Sequence, residues 1–315
     1  MNIVRTARRD PWRALAVEDY LQDRGGEEPV LFLYRNDPVI VVGKNQNPWA
    51  EADVAAAAEM GVPFARRSSG GGAVVHDPGN LNYAFIVPRT GFEPARQFGI
   101  VLRALARFGI HARVEGRTAL FADGRKISGN AFCLRGRTAL HHGTLLVSAD
   151  LDRIRRLLGR PSIADRGHAV PSRPAEVVNL MDLRPGLDAD ALEAALVEHA
   201  VATWGGPVAR FDDEAIERWD WAEGWRRHAS WEWQFGATPP FQTFIDLPSH
   251  AGRLRISVRE GRMFEVALAG DGAMLPGLHA ALHGRRFDPV LLAAVVQALD
   301  VESAGGAASG EASRS

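Results

Sequence analysis

Residues 66–77 read Arg66-Arg67-Ser68-Ser69-Gly70-Gly71-Gly72-Ala73-Val74-Val75-His76-Asp77. Three glycines in a row join two short strand-like stretches, Phe64–Arg67 and Ala73–His76. A stretch without side chains lets the backbone approach a ligand and turn its N–H groups toward an anion. Arg66 and Arg67 would add charge-assisted bonds to a phosphate or carboxylate. A bare triple glycine is more often a flexible surface hairpin, but the Arg-Arg entry and the His76-Asp77 exit weigh against that reading. The Gly-x-Gly-x-x-Gly dinucleotide pattern fails at Val75, and neither lysine sits in a Gly-x-x-x-x-Gly-Lys-Ser/Thr loop. A nucleotide held here is held by another scheme.

The flanking sequence mixes strands and helices without regular alternation, which predicts an α+β fold. Toward the N-terminus, Pro11 to Asp23 has helical spacing, and Val30–Tyr34 and Val39–Gly43 read as a hairpin around Arg35-Asn36-Asp37-Pro38. Glu51 to Met60 reads as one helix stopped by Gly61 and Pro63. Toward the C-terminus, Leu81–Val87 is a strand and Pro94 to Phe108 a helix. The runs His111–Glu115, Thr118–Ala122 and Arg125–Ser128 are strands, the last two joined by the turn Asp123-Gly124. Leu140–Ser148 is a strand, Leu151–Leu158 a helix, and Ser162–Arg173 an exposed loop. Ala189–Trp204 and Glu214–His228 read as helices. Composition shifts at residues 235–240. Beyond it come two strands, near Arg253–Arg259 and Met263–Leu268, and helices near Leu275–Leu282 and Pro289–Leu299. These readings divide the chain into a domain over 1–240, a small α+β accessory domain over 241–302 and a disordered tail over 303–315.

Composition narrows the function classes. Of 315 residues, 46% are hydrophobic and 24% charged, and the formal net charge is −1. That balance argues against nucleic acid as partner. No apolar run is long enough to span a membrane, and a lone cysteine, Cys133, cannot form an internal disulfide. Both features point to the cytoplasm. Among 37 basic residues only Lys44 and Lys126 are lysines. Where nearly every basic position has become arginine, a surviving lysine marks a place where a planar fork does not substitute for a compact ammonium.

Both lysines fall in motifs. In Gly124-Arg125-Lys126-Ile127-Ser128-Gly129-Asn130-Ala131, the two-residue strand period predicts that Lys126 and Ser128 share one face and one pocket, with Gly129 leaving room. In Val42-Gly43-Lys44-Asn45-Gln46-Asn47-Pro48-Trp49, the side-chain amides could read polar edges while Trp49 gives an apolar wall. In His141-His142-Gly143-Thr144, adjacent histidines on a strand face opposite ways, so they cannot share a metal. His141 reads best as a core residue.

Taken in order, these segments resemble the lipoate–protein ligase family: Gly43–Trp49, then Arg66–Asp77 with Gly79-Asn80-Leu81, then Gly124–Gly129, then His141–Leu146, and last Trp231–Gly236. The resemblance implies the catalytic fold shared with biotin–protein ligases and class II aminoacyl-tRNA synthetases, a mixed sheet with flanking helices. It implies activation of lipoate by ATP, with Mg²⁺, to lipoyl-adenylate, and transfer to a lysine of a lipoyl domain. The family's acceptors are E2 subunits of 2-oxoacid dehydrogenases and the glycine-cleavage H protein. Carried over by motif, Lys126 contacts both carboxylate and α-phosphate. Arg67, Ser69, Gly72, Ala73, Val74 and Val75 surround the adenylate, and His76, Ser128 and His142 the acyl group. The metal ligands stay unassigned, because Thr118-Ala119 follows Gly116-Arg117 where many relatives have Asn-Asp.

That departure keeps two other readings open, a transferase working from a preformed acyl donor and a non-catalytic homologue that binds lipoyl domains. A cysteine-dependent transferase would have only Cys133 as nucleophile, on the wrong side of the lysine hairpin. A lone Cys in an apolar strand is usually a small core residue.

Overall fold

The computed structural model describes residues 1–165, 167–247, 252–269, 276–292 and 294–295. The strands among them are β1 (Asn2–Arg5), β2 (Val30–Tyr34), β3 (Val39–Val42), β4 (Phe64–Arg66), β5 (Val74–His76), β6 (Asn80–Pro88), β7 (Arg113–Glu115), β8 (Ala119–Ala122), β9 (Arg125–Arg135), β10 (Thr138–Leu146), β11 (Ala209–Phe211), β12 (Phe241–Leu247), β13 (Gly252–Arg259) and β14 (Arg262–Leu268). Eight of them form a mixed sheet in the order β11-β1-β2-β6-β10-β9-β8-β7. Two three-stranded sheets, β4-β3-β5 and β12-β13-β14, complete the α+β architecture.

Helices cover both faces of the large sheet, which explains why β2 reads Val-Leu-Phe-Leu-Tyr without polar alternation. Its Leu31 and Leu33 pack with the helices Pro94–Ala106 and Ala189–Trp204. Its Val30, Phe32 and Tyr34 pack against Ala14, Val17 and Leu21 of the helix Pro11–Arg24. That helix starts sharply. Pro11 opens it, and the Asp10 carboxylate accepts the N–H groups of Trp12 and Arg13 at 2.9 and 3.0 Å. Its Leu15 points the other way, onto Val39, Val41 and Ala65 of the small sheet. The helix is therefore a wedge between two sheets.

The predicted hairpin of β2 and β3 does not form. β2 pairs with β1 and β6 in the large sheet, while β3 pairs with β4 and β5 in the small one. Residues 35–38 carry the chain from one sheet to the other, with the Asp37 N–H bonded to the Arg9 carbonyl at 2.9 Å. The helix predicted from Glu51 to Met60 breaks at Ala52 into Pro48–Glu51 and Val54–Glu59, because the Asp53 carboxylate caps the second piece through the Ala56 N–H. Glu214–His228 likewise divides into Asp213–Ile216 and Ala222–Ala229. The strand β12 has no counterpart in the prediction. Most of the helix expected at 289–299, and the tail at 303–315, lie outside the described residues.

An aromatic core lies across residue 240. Trp49 is 1% exposed and packs on Phe235, Phe241 and Phe287, with ring centroids 5.1, 5.7 and 5.1 Å away. Leu254, Ile256, Val258 and Val266 of the β12-β13-β14 sheet close the cluster around it. Among the described residues no helix is long and apolar enough to cross a membrane.

Candidate active site

Between the large sheet and the β4-β3-β5 sheet lies a cavity of about 250 Å³. Tyr34, Asn82, His142, Thr144 and Gly129 come to it from adjacent strands of the large sheet, and Val41, Val74 and His76 from the small one. Leu15 of the wedge helix lines it, as do the glycine loop and the segment Val170–Arg173. The loop at 162–173, predicted to be exposed, thus supplies part of the wall. It is drawn in by the Ser172 hydroxyl, which accepts the Ala73 N–H at 2.8 Å and the Gln46 amide at 3.1 Å.

The glycine loop is held from inside by Arg67. Its guanidinium is buried and donates to the carbonyls of Gly70 (2.6 Å), Gly72 (2.8 Å) and Val41 (3.2 Å), and to the Ser69 hydroxyl (3.1 Å). In a trans peptide the carbonyl and the following N–H point opposite ways, so the N–H groups of Gly71 and Ala73 turn away from Arg67. Burial lowers the Arg67 pKa to about 10, with Glu18 and Tyr34 pulling it back up, so the group stays cationic at neutral pH. Gly71 has φ +91°, and a Cβ on Gly43 would sit 2.3 Å from the Gly71 carbonyl oxygen. Both positions therefore require glycine. Arg66, read from sequence as a second anion ligand, faces elsewhere. It is fully buried and donates to the carbonyls of Gly43, Lys44, Gln46, Trp233 and Gln234 and to the Thr238 hydroxyl.

Lys126 and Ser128 do not share the cavity. The β8–β9 register passes from Leu120↔Ser128 to Phe121↔Lys126, leaving Ile127 as an extra residue on β9. Such a bulge resets the alternation of faces. Lys126 lines the cavity, and a Cβ on Gly129 would lie 3.5 Å from its Nζ. Ser128 is fully buried and accepts the Asn130 amide at 3.1 Å. No hydrogen bond or ion pair engages the Lys126 ammonium among the described residues, and burial lowers its pKa. Its backbone is fixed on the outer side by Glu176 and Val178.

Of the other residues singled out in sequence, Gly72, Ala73, Val74, His76 and His142 line the cavity with Arg67, while Ser69 and Val75 do not. Val75 obeys the strand period and faces the opposite side, into a core with Ile40, Val42 and Phe64. Ser69 is 1% exposed because its hydroxyl is 2.6 Å from Nε2 of His142. Glu18 takes Nδ1 of the same ring at 2.8 Å and accepts the Tyr34 hydroxyl at 3.4 Å. On the facing sheet, Asn36 Nδ2 donates to His76 Nδ1 at 3.0 Å. Burial, reinforced by Arg67 and His142, pushes the His76 pKa down to about 3, so a neutral ring presents Nε2–H.

Sequence reading missed Glu18, Tyr34, Asn82 and residues 170–173. Glu18 stands three residues from Leu15 on the buried side of its helix, and Asn82 alternates with Ala84 and Ile86 on one face of β6. A polar group among buried positions was the available signal for both. The Gln46-Asn47-Pro48-Trp49 motif bonds to backbone instead of lining the cavity. Gln46 accepts the Gly43 N–H at 2.9 Å, and Asn47 caps the helix Pro48–Glu51. Lys44 is exposed. Cys133 is half-buried on β9 and is not part of the cavity wall. Among the described residues no group of three His, Cys, Asp or Glu side chains forms a metal cradle.

Residues 10–201 match the family model for the lipoyl protein ligase A/B catalytic domain. Lipoate-protein ligase A of Psychrobacter cryohalolentis is 32% identical over 282 residues, covering 86% of this chain and 83% of the relative. Among solved structures, P. falciparum LipL1 in complex with lipoate has a TM-score of 0.66 at 24% identity, covering 91% of this chain and 90% of that one. A lipoate-protein ligase A bound with ATP has a TM-score of 0.63 at 25% identity, covering 75% of this chain and 100% of the other. A bipartite lipoate protein ligase from Thermoplasma acidophilum, described together with its E2 lipoyl domain as an archaeal lipoylation system, has a TM-score of 0.65 at 22% identity, covering 76% of this chain and 96% of the other.

Proposed function

The chain belongs to the lipoyl protein ligase A/B catalytic-domain family, and from that membership we propose that it is a lipoate–protein ligase, an enzyme that activates lipoate with ATP and transfers the acyl group to a lysine of a lipoyl domain. One observation carries the reading. The Lys126 ammonium has no partner in the described protein and stands on a rigid strand in a cavity edged by the glycine loop.

Activation brings a carboxylate against an α-phosphate, two anions that repel. A carboxylate oxygen forms the new bond to phosphorus, the bond between the α- and β-phosphates breaks, and pyrophosphate leaves. The Lys126 ammonium bridges carboxylate and phosphate and stabilises the charge they share as the bond forms. The N–H group of Gly71, turned outward by Arg67, is a donor for the same phosphate. Neutral His76 and the hydrogen-bonded His142 face the acyl group. In the second step the acceptor lysine attacks the acyl carbon and AMP leaves.

Magnesium accompanies the nucleotide in this reading, but the described side chains do not form a seat for it. A divalent ion would take its ligands mainly from phosphates and water. The acceptor class rests on the named relatives, one of them described together with its E2 lipoyl domain. The glycine-cleavage H protein is a second acceptor, and the cytoplasm the compartment, by the same family reasoning. A cysteine-dependent transferase loses ground, since Cys133 does not line the cavity.

The test is incubation with ATP, Mg²⁺, lipoate and an apo lipoyl domain, read by intact mass. A lipoyl increment that requires ATP is the expected result. Binding without any mass shift would leave a non-catalytic homologue.

A further inference from the structure

Asn82 is the one side chain among the described residues that is buried with neither its donor nor its acceptor satisfied. It is 1% exposed and lines the cavity. Burying a carboxamide unpaired is costly, and native proteins rarely leave one so. Such a group is expected to meet its partner in a ligand. The neighbouring Thr144, directly opposite Asn82 across β6 and β10, lines the same wall, and its side chain bonds to no described residue.

Strand order tells which part of a substrate reaches them. Lys126 lies over Gly129 of β9, and β6 is two strands away, on the order of 10 Å at the usual inter-strand spacing. With a carboxylate at Lys126, the far end of a medium-chain acid comes to Asn82. Tyr34, opposite Asn82 on β2, closes the row.

We propose that Asn82 determines acyl selectivity, favouring an acid whose far end carries sulfur or another hydrogen-bonding atom over a plain fatty acid such as octanoate. The inference rests on the ligase reading and names the substrate class within it. A dithiolane sulfur accepts a weak hydrogen bond from the Asn82 amide. A methyl terminus displaces water from the carboxamide and returns nothing. A site built to bond a polar group discriminates strongly against the analogue lacking it.

The experiment is a competition. The full chain, ATP, Mg²⁺ and an apo lipoyl domain receive equal lipoate and octanoate, and the two products are counted by intact mass. The wild type is expected to favour lipoate. In Asn82→Leu and Asn82→Ala the ratio is expected to move toward octanoate by about 10-fold. An unchanged ratio in either variant that still modifies the domain overturns the proposal. Should both variants fail to fold, the wild type is given octanoate against a same-length acid with a terminal hydroxyl, and equal use of the two overturns it. If the wild type attaches neither lipoate nor octanoate, it is the ligase reading that fails, and the ratio is not reached.

Discussion

Lys126 and Lys44 are the same residue in opposite settings, one over a glycine in a cavity, the other exposed at a turn. A guanidinium needs a wider slot than an ammonium and delivers its charge through a fork. Lys126→Arg is therefore expected to lower adenylate formation by about 100-fold, while Lys44→Arg stays within about 2-fold, as surface substitutions usually do. Pyrophosphate release measures both, and near-equal rates would undo the role given to Lys126. Cys133→Ser should leave lipoylation unchanged, and a dead but folded Cys133→Ser would restore the thioester route. At this scale much of the site was legible, because Lys126, His76, His142 and Gly72–Val74 sit in motifs dense with unusual residues. Glu18 and Asn82 were not, since each has a polar companion, Asp19 and Asn80, and nothing local says which of the two meets a ligand. Their importance comes only from what strands distant in sequence bring beside them.

Elements show why some local readings failed. Turn chemistry at Arg35–Pro38 is the same whether the flanking strands pair with each other or part to join two sheets. The bulge at Ile127 leaves no mark in residue types, yet it decides which of Lys126 and Ser128 faces the ligand. Helix starts were easier to read, because a cap is a local bond. Asp10→Ala removes both N-terminal bonds of the wedge helix and the Trp225 indole contact at 2.8 Å. It is expected to cost about 1–2 kcal/mol in urea denaturation, and Asp10→Asn less. The contact between the loops at Gly43 and Gly71 predicts a loss of another kind. Gly43→Ala pushes on a backbone carbonyl 2.3 Å away, so the glycine loop must shift. The expected outcome is up to a 100-fold fall in adenylate formation with little change in stability. Normal activity in Gly43→Ala would show that the loop need not be held there.

For the molecule as a whole, two buried histidines set the response to acid. Burial, with help from neighbouring cationic groups, pushes His76 and His141 down to about 3, against about 6.5 when unfolded. Between those values the unfolded chain binds more protons, so stability rises with pH and falls as pH drops. Each histidine contributes about 1.4 kcal/mol per pH unit in that window. Asp19 extends the trend at lower pH. Burial alone would raise its pKa, but His228 and Arg135 hold the carboxyl well below the usual range. Its stabilisation is present above the ordinary carboxylate pKa and is lost as pH falls below it. Denaturation midpoints that stay flat from about pH 6 to pH 4 would contradict this. The α+β class and the positions of most strands along the chain could be read from local patterns. The division at residue 240 followed a change in composition, and composition does not record which rings meet across it. Trp49 lies on one side of that division and Phe241 and Phe287 on the other. A chain cut after Pro240 would strip the Trp49 indole of Phe241 and Phe287, leave it Phe235, and turn part of it out to water. The two fragments are better partners for complementation in one cell than reagents to purify apart.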